Sequence, residues 1–183
     1  MDELSLREQD KYRRMWAVEG YRKCSPGENV LDNFTSFTRS GVSIGDFGVG
    51  CGRAAQALKD KGFHVVGVDI TCECLDPGID IDFIEASLWD LPEDLNVDIG
   101  LCTDVMEHIP PEKVMDVFNN IFMCCEIGCY FQIATFKDGF GSRIGETLHL
   151  TVQPWVWWQE RLEKVWPQVI VLEKGRNARF WVA

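Results

Sequence analysis

The stretch Val42-Ser43-Ile44-Gly45-Asp46-Phe47-Gly48-Val49-Gly50-Cys51-Gly52-Arg53 decides the fold. Residues 42–47 read as a short strand running into Gly48, and 53–61 read as a helix. Ala54, Ala57 and Leu58 give that helix its apolar side, and Gly62 stands just past its end as a natural stop. The glycines between them let the backbone turn tightly and approach a ligand with no Cβ in the way. At the carboxyl edge of the first strand of an open α/β sheet, such a turn is the usual place for a cofactor.

Strands and helices alternate outward from this turn. His64 to Ile70 is a nearly continuous apolar run, as expected of a strand covered on both faces. Shorter strands are predicted over 81–86 and 97–103. Pro110 and Pro111 open a helix to about Cys125, with Val114, Phe118, Ile121 and Phe122 as its buried stripe. A fifth strand is expected over 129–136, then a glycine-rich loop over 137–145 and a last helix over 154–165. The β-rich runs around Gly175-Arg176-Asn177 read as a hairpin. Ahead of the core, 1–23 reads as a helix, with Leu6, Tyr12, Met15 and Trp16 near helical spacing. Ser25-Pro26-Gly27 breaks it, and a short helical stretch follows near 31–37. Alternating βα units ending in a hairpin imply an α/β sandwich, its sheet mostly parallel with an antiparallel addition.

A chain of 183 residues is expected to form one domain, with 1–40 as a helical cap and 41–183 as the α/β core. Lys plus Arg number 18 against 29 Asp plus Glu, a net charge of −11, so a nucleic acid would be repelled at long range. A small-molecule acceptor fits that charge better. The most apolar segment, 121–136, is interrupted by Glu126 and Gln132, which argues against a membrane span. The charged N-terminus does not read as a signal peptide, and a cytoplasmic location is expected. Eight cysteines, at 24, 51, 72, 74, 102, 124, 125 and 129, form no C-x-x-C. His64, His108 and His149 stand at no zinc-ligand spacing from them, so reduced thiols and no metal are expected. Nothing in the pattern speaks to oligomeric state.

Two ligand types compete for the glycine turn. Gly50-x-Gly52-x-x-Ala55 also matches the dinucleotide form G-x-G-x-x-A. Asp46, however, projects its charge into the same turn, where it would repel a pyrophosphate. A cofactor with a cationic amino-acid end would be attracted instead, and S-adenosylmethionine carries both an ammonium and a sulfonium. Asp69, 23 residues on from Asp46, ends the second strand, where its carboxylate can accept both hydroxyls of a ribose.

The turn resembles motif I of the class I S-adenosylmethionine-dependent methyltransferases, D-x-G-x-G-x-G, through Asp46, Gly48, Gly50 and Gly52. That resemblance implies a seven-stranded sheet with helices on both faces, and Asp69 as the ribose-binding acid with Ile70 beside the adenine. The segment Phe83-Ile-Glu-Ala-Ser-Leu-Trp-Asp-Leu-Pro92 is similar to the family's stretch after the third strand. Ser87 stands where many members carry an acid that contacts the adenine amino group. This departure leaves Ser87, the backbone at Leu88, or Trp89 to recognise the base. Cys102-Thr-Asp-Val-Met-Glu-His-Ile-Pro110 resembles the stretch after strand four in many small-molecule methyltransferases, including short stand-alone bacterial and phage enzymes. It implies that Thr103 and Asp104 lie beside the methionine moiety.

Methyl transfer from a sulfonium is an in-line displacement, so positioning dominates, and a base is needed only if the acceptor must lose a proton. His108 and His149 are the candidates for that work, with Glu107 orienting either one. Each can equally be structural. Trp155 and Trp158 are helix-spaced core residues, while Trp157 falls off that face and is a candidate wall for the acceptor pocket. Tyr12, Trp16, Tyr21 and Arg22 are either a lid, with Arg22 pairing the cofactor carboxylate, or a solvated helix face. Two rivals remain beside the methyltransferase reading: a nucleotide-binding oxidoreductase and a non-catalytic S-adenosylmethionine-binding module.

Overall fold

The computed structural model describes residues 2–23 and 25–183; Cys24 lies outside them. The strands are β1 (Ser43–Phe47), β2 (His64–Asp69), β3 (Asp82–Glu85), β4 (Val97–Thr103), β5 (Cys125–Ala134), β6 (Val169–Glu173) and β7 (Asn177–Val182). They form one sheet in the order β3-β2-β1-β4-β5-β7-β6. The pairs among β1 to β5 are parallel, and β7 runs antiparallel to both β5 and β6. Strand order reverses between β1 and β4, which opens a crevice at their carboxyl ends.

Helices α1 (Glu3–Trp16), α2 (Leu31–Thr35), α3 (Arg53–Asp60), α4 (Val114–Cys124) and α5 (Trp155–Leu162) complete the fold. Alternation along each strand splits the core in two. Ile44, Val65, Ile99, Leu101 and Tyr130 pack with Leu31, Phe34, Ala54 and Leu58 on the α2/α3 face. Phe47, Val68, Cys102, Phe131 and Ile133 pack with Phe118, Ile121, Trp158 and Leu162 on the α4/α5 face. The three-layer α/β arrangement, with seven strands and a terminal antiparallel pair, is the one expected.

Several boundaries move, each for a local reason. The first helix ends at Trp16, not at residue 23; a turn follows over 17–20, and Gly20 at φ 91° leads the chain into a 3₁₀ turn at Tyr21–Lys23. Leu6 is 53% exposed, so it does not belong to the buried stripe. The inner face of α1 carries Ser5, Glu8, Gln9 and Lys11 beside Met15 and Trp16. The Pro26–Val30 segment forms a 3₁₀ turn, and Pro111–Lys113 forms another ahead of α4. β5 begins at Cys125, four residues earlier than the apolar pattern suggests, because Cys125 already pairs with Val97 across an irregularity in the β4–β5 ladder. The seven described cysteines are all free thiols. No helix among the described residues is long and apolar enough to cross a membrane.

Candidate functional site

The turn after β1 holds Gly48, Gly50 and Gly52 at φ 80°, 53° and 80°, the left-handed region that favours glycine. A Cβ at Gly48 would stand 2.3 Å from Val105 Cγ2, so this position has no room for a side chain either. The turn closes on β2, where Asp69 Oδ2 accepts the Gly50 amide at 3.0 Å.

Beneath α1, at the carboxyl ends of β1, β2 and β4, lies a cavity of about 550 Å³. That is within the ~300–1,000 Å³ usual for small-molecule sites. Asp46, Gly48, Gly50, Asp69, Ile70, Ser87, Leu88, Thr103 and Asp104 all line it, as do Glu107, His108 and His149. The expected site residues therefore meet in one place. Gly52 is the exception; it faces Leu75 and Ile79 and shapes the turn from behind.

Helix α1 spans the cavity like a strap. Ser5 Oγ donates to Ser87 Oγ at 3.1 Å, and Gln9 Nε2 donates to the Ile70 carbonyl at 2.8 Å. Tyr12 Oη meets His108 Nδ1 at 2.7 Å, and Arg14 pairs with Glu146 at 2.7 Å. Glu8 and Lys11 form a buried ion pair on the inner side. The lid reading of Tyr12, Trp16 and Tyr21 fits this arrangement, since all three line the cavity. Arg22 does not. Its guanidinium donates to the carbonyls of Cys74 and Leu75 at 2.7 and 3.1 Å, outside the cavity. Trp157 is likewise absent from the cavity wall; it packs against Trp158, with the Arg161 guanidinium 3.2 Å from its ring centre.

The cavity floor is acidic and short of counter-charge. Asp46 is 3% exposed, and desolvation, with the nearby Asp69 charge, pushes its carboxyl up to about 7. Burial pushes Asp69 to about 6, against the pull of amides that include Gly50. Asp104 is also raised by burial and offset by Gln132, whose Nε2 donates to it at 2.5 Å. It is the single described non-glycine residue at positive φ, 53°, a strained backbone held by β5 through the bond from its amide to the Gln132 carbonyl. Glu107 is fully buried, neither carboxylate oxygen makes a hydrogen bond of normal geometry, and desolvation raises it well above the carboxylate range against a weaker pull from the Glu107 and Ala134 amides. Unpaired buried carboxyls are costly unless a cationic ligand meets them.

At the far end, His108 Nδ1 also lies 3.2 Å from the Leu148 carbonyl, and burial depresses this imidazole to about 3, keeping it neutral. His149 Nδ1 lies 2.5 Å from the Phe136 carbonyl, and the two imidazoles meet edge-on at 4.7 Å between centres. Thr151 ties this loop to the one after β4 through the carbonyls of Glu107 and Ile109. Sequence reasoning missed Glu8 on the inner face of α1 and the basic rim of Lys137, Arg143 and Arg176. Glu8 and Tyr12 are four apart on one helix face, a spacing that could have flagged the former. The rim residues come from two loops that only the fold brings together.

Residues 44–128 match the family model described as "Methyltransferase domain". No curated protein matches the sequence. Among solved structures, magnesium protoporphyrin IX methyltransferase from Synechocystis PCC 6803 with bound SAH aligns at TM-score 0.63 and 15% identity, over 96% of this chain and 92% of that one. A TehB-like SAM-dependent methyltransferase from Corynebacterium glutamicum aligns at 0.61 and 17% identity, over 97% of each. The DhpI–SAH complex aligns at 0.72 and 16% identity, over 97% and 95%. At these identities the likeness is one of fold.

Proposed function

We propose that this chain is an S-adenosylmethionine-dependent methyltransferase acting on a small-molecule or sugar-like acceptor, received at Glu107, His108 and His149. One observation carries the reading: a glycine turn with the carboxyls of Asp46 and Asp69, and the buried Glu107 with two imidazoles, line one cavity beneath α1. When bound, S-adenosylmethionine supplies a methyl group on a sulfonium, open to in-line attack. Asp46 attracts its cationic end, and the Gly48–Gly52 turn admits the backbone's close approach. Asp69 takes the ribose hydroxyls with the carboxylate capacity left beyond Gly50. Ile70, Leu88 and Ser87 enclose the base, with the Ser87 hydroxyl held in place by Ser5. Thr103 and Asp104 flank the methionine portion.

Glu107, His108 and His149 hold the acceptor atom in line, and for a hydroxyl acceptor His149 takes up its proton. The strap formed by α1 excludes water from the transfer and limits the acceptor to a small molecule. Lys137, Arg143 and Arg176 give the entrance local positive charge on a chain of net charge −11, which suits an acceptor bearing acidic or oxygen-rich groups. An oxidoreductase reading is disfavoured by Asp46, which would face a pyrophosphate. Incubating the protein with methyl-labelled S-adenosylmethionine and fractionated small metabolites tests the proposal. Label should enter a low-mass fraction; label entering only protein or nucleic acid would overturn the acceptor class.

A further inference from the structure

We propose that Glu107, His108 and His149 form a binding site for one divalent first-row transition-metal cation at the acceptor end of the cavity. The inference deepens the functional reading and rests on it for the acceptor, but the ligand geometry stands independently. One donor atom from each of the three side chains lies within 4.8 Å of the others. Ligands about 2.1 Å from a cation lie at most ~4.2 Å apart, so small side-chain shifts would close the set.

Two further features point to a cation. Glu107 is fully buried, and neither of its oxygens makes a hydrogen bond of normal geometry. Both histidines turn Nδ1 toward a backbone carbonyl, Leu148 for His108 and Phe136 for His149. This is the outer-shell arrangement that fixes a metal-binding imidazole, leaving Nε2 as the lone-pair nitrogen. Tyr12, on the same Nδ1 of His108, adds a second outer contact from the strap. Lys11, whose charge acts on His108, is paired with Glu8.

Two imidazoles and one carboxylate with open positions suit Mn²⁺, Fe²⁺ or Zn²⁺, whereas Mg²⁺ prefers an all-oxygen shell. The open positions face the cavity, where an acceptor hydroxyl or carboxylate would complete the shell. The three side chains would then hold the acceptor through the cation instead of directly.

The test uses the whole chain, stripped with a chelator, in parallel titrations with Mn²⁺, Zn²⁺, Mg²⁺ and S-adenosylhomocysteine. Paramagnetic resonance of Mn²⁺ should show one site per chain, and Zn²⁺ should raise the melting temperature. Glu107→Gln and His149→Ala should each weaken Mn²⁺ at least about tenfold, while S-adenosylhomocysteine binding holds. Cys72→Ser, at the exposed Cys72/Glu73/Glu85 cluster, should change nothing. Overturning results are no Mn²⁺ or Zn²⁺ site in a chain that binds S-adenosylhomocysteine, or a site lost in Cys72→Ser and kept in Glu107→Gln. A chain that binds Mn²⁺ at these residues but not S-adenosylhomocysteine would uphold the metal site and sink the methyltransferase reading instead.

Discussion

Asp46→Asn should make the unliganded protein more stable and the cofactor site worse, and the size of the first effect should depend on pH. Asp46 is buried with its carboxyl raised to about 7, against 3.8 when unfolded. A raised carboxyl pKa means the folded state holds a proton that the unfolded state gives up, so folding is penalised as pH rises from about 3.8 and the penalty levels off above about 7. Worked from those two values, the penalty is ~2 kcal/mol at pH 5 and ~4 kcal/mol at pH 8. Asparagine has no charge to desolvate, so it escapes both. The variant's advantage should therefore grow by roughly 2–3 kcal/mol between pH 5 and pH 8, or about 4–12 °C in melting temperature for a chain of this size. Melting curves of wild type and variant at the two pH values read this directly. S-adenosylhomocysteine should protect the wild type at pH 8 and the variant far less, because the ammonium loses its carboxylate. A variant whose advantage is the same at both pH values, or whose ligand protection is undiminished, would refute the reasoning.

Further outcomes follow from the same geometry. Asp69→Ala should lower cofactor affinity ~10–100-fold by calorimetry, through lost ribose contacts and the freed Gly50 amide, with the fold retained. Gly48→Ala should cost ~1–3 kcal/mol in urea unfolding and abolish binding, since the new methyl would sit 2.3 Å from Val105 Cγ2. Wild-type affinity for S-adenosylhomocysteine should rise as pH increases through about 7, because the ionised form of Asp46 is the one the ligand's ammonium prefers. His149→Ala should leave cofactor affinity unchanged while methyl transfer to the active metabolite fraction falls ~10²–10⁴-fold if proton uptake matters.

The sheet core was legible because its signals are local. The turn from Gly48 to Gly52 announces itself by composition, and the apolar run of β2 reports burial on both faces. The start of β5 was not legible, because Cys125 to Gly128 owe their strand to pairing with β4 rather than to apolar pattern. The reach of α1 was misjudged for the opposite reason: its inner face is polar, so periodicity selected the exposed Leu6 over Glu8 and Lys11. Arg22 reads in sequence as a partner for the cofactor carboxylate or as part of a solvated face, yet packing commits it to the loop at Cys74 and Leu75. His108 and His149 are 41 positions apart in the chain, and bonds from Thr151 to Glu107 and Ile109, with His108 against the Leu148 carbonyl, bring them to one spot.

The central claim is that the cavity under α1 takes S-adenosylmethionine through Asp46 and Asp69. Calorimetric titration of the purified chain with S-adenosylhomocysteine, and separately with NAD, tests it most directly. The account predicts one-to-one binding of S-adenosylhomocysteine that is sharply weakened in Asp69→Ala, and no measurable binding of NAD. Tight NAD binding with none for S-adenosylhomocysteine would contradict it.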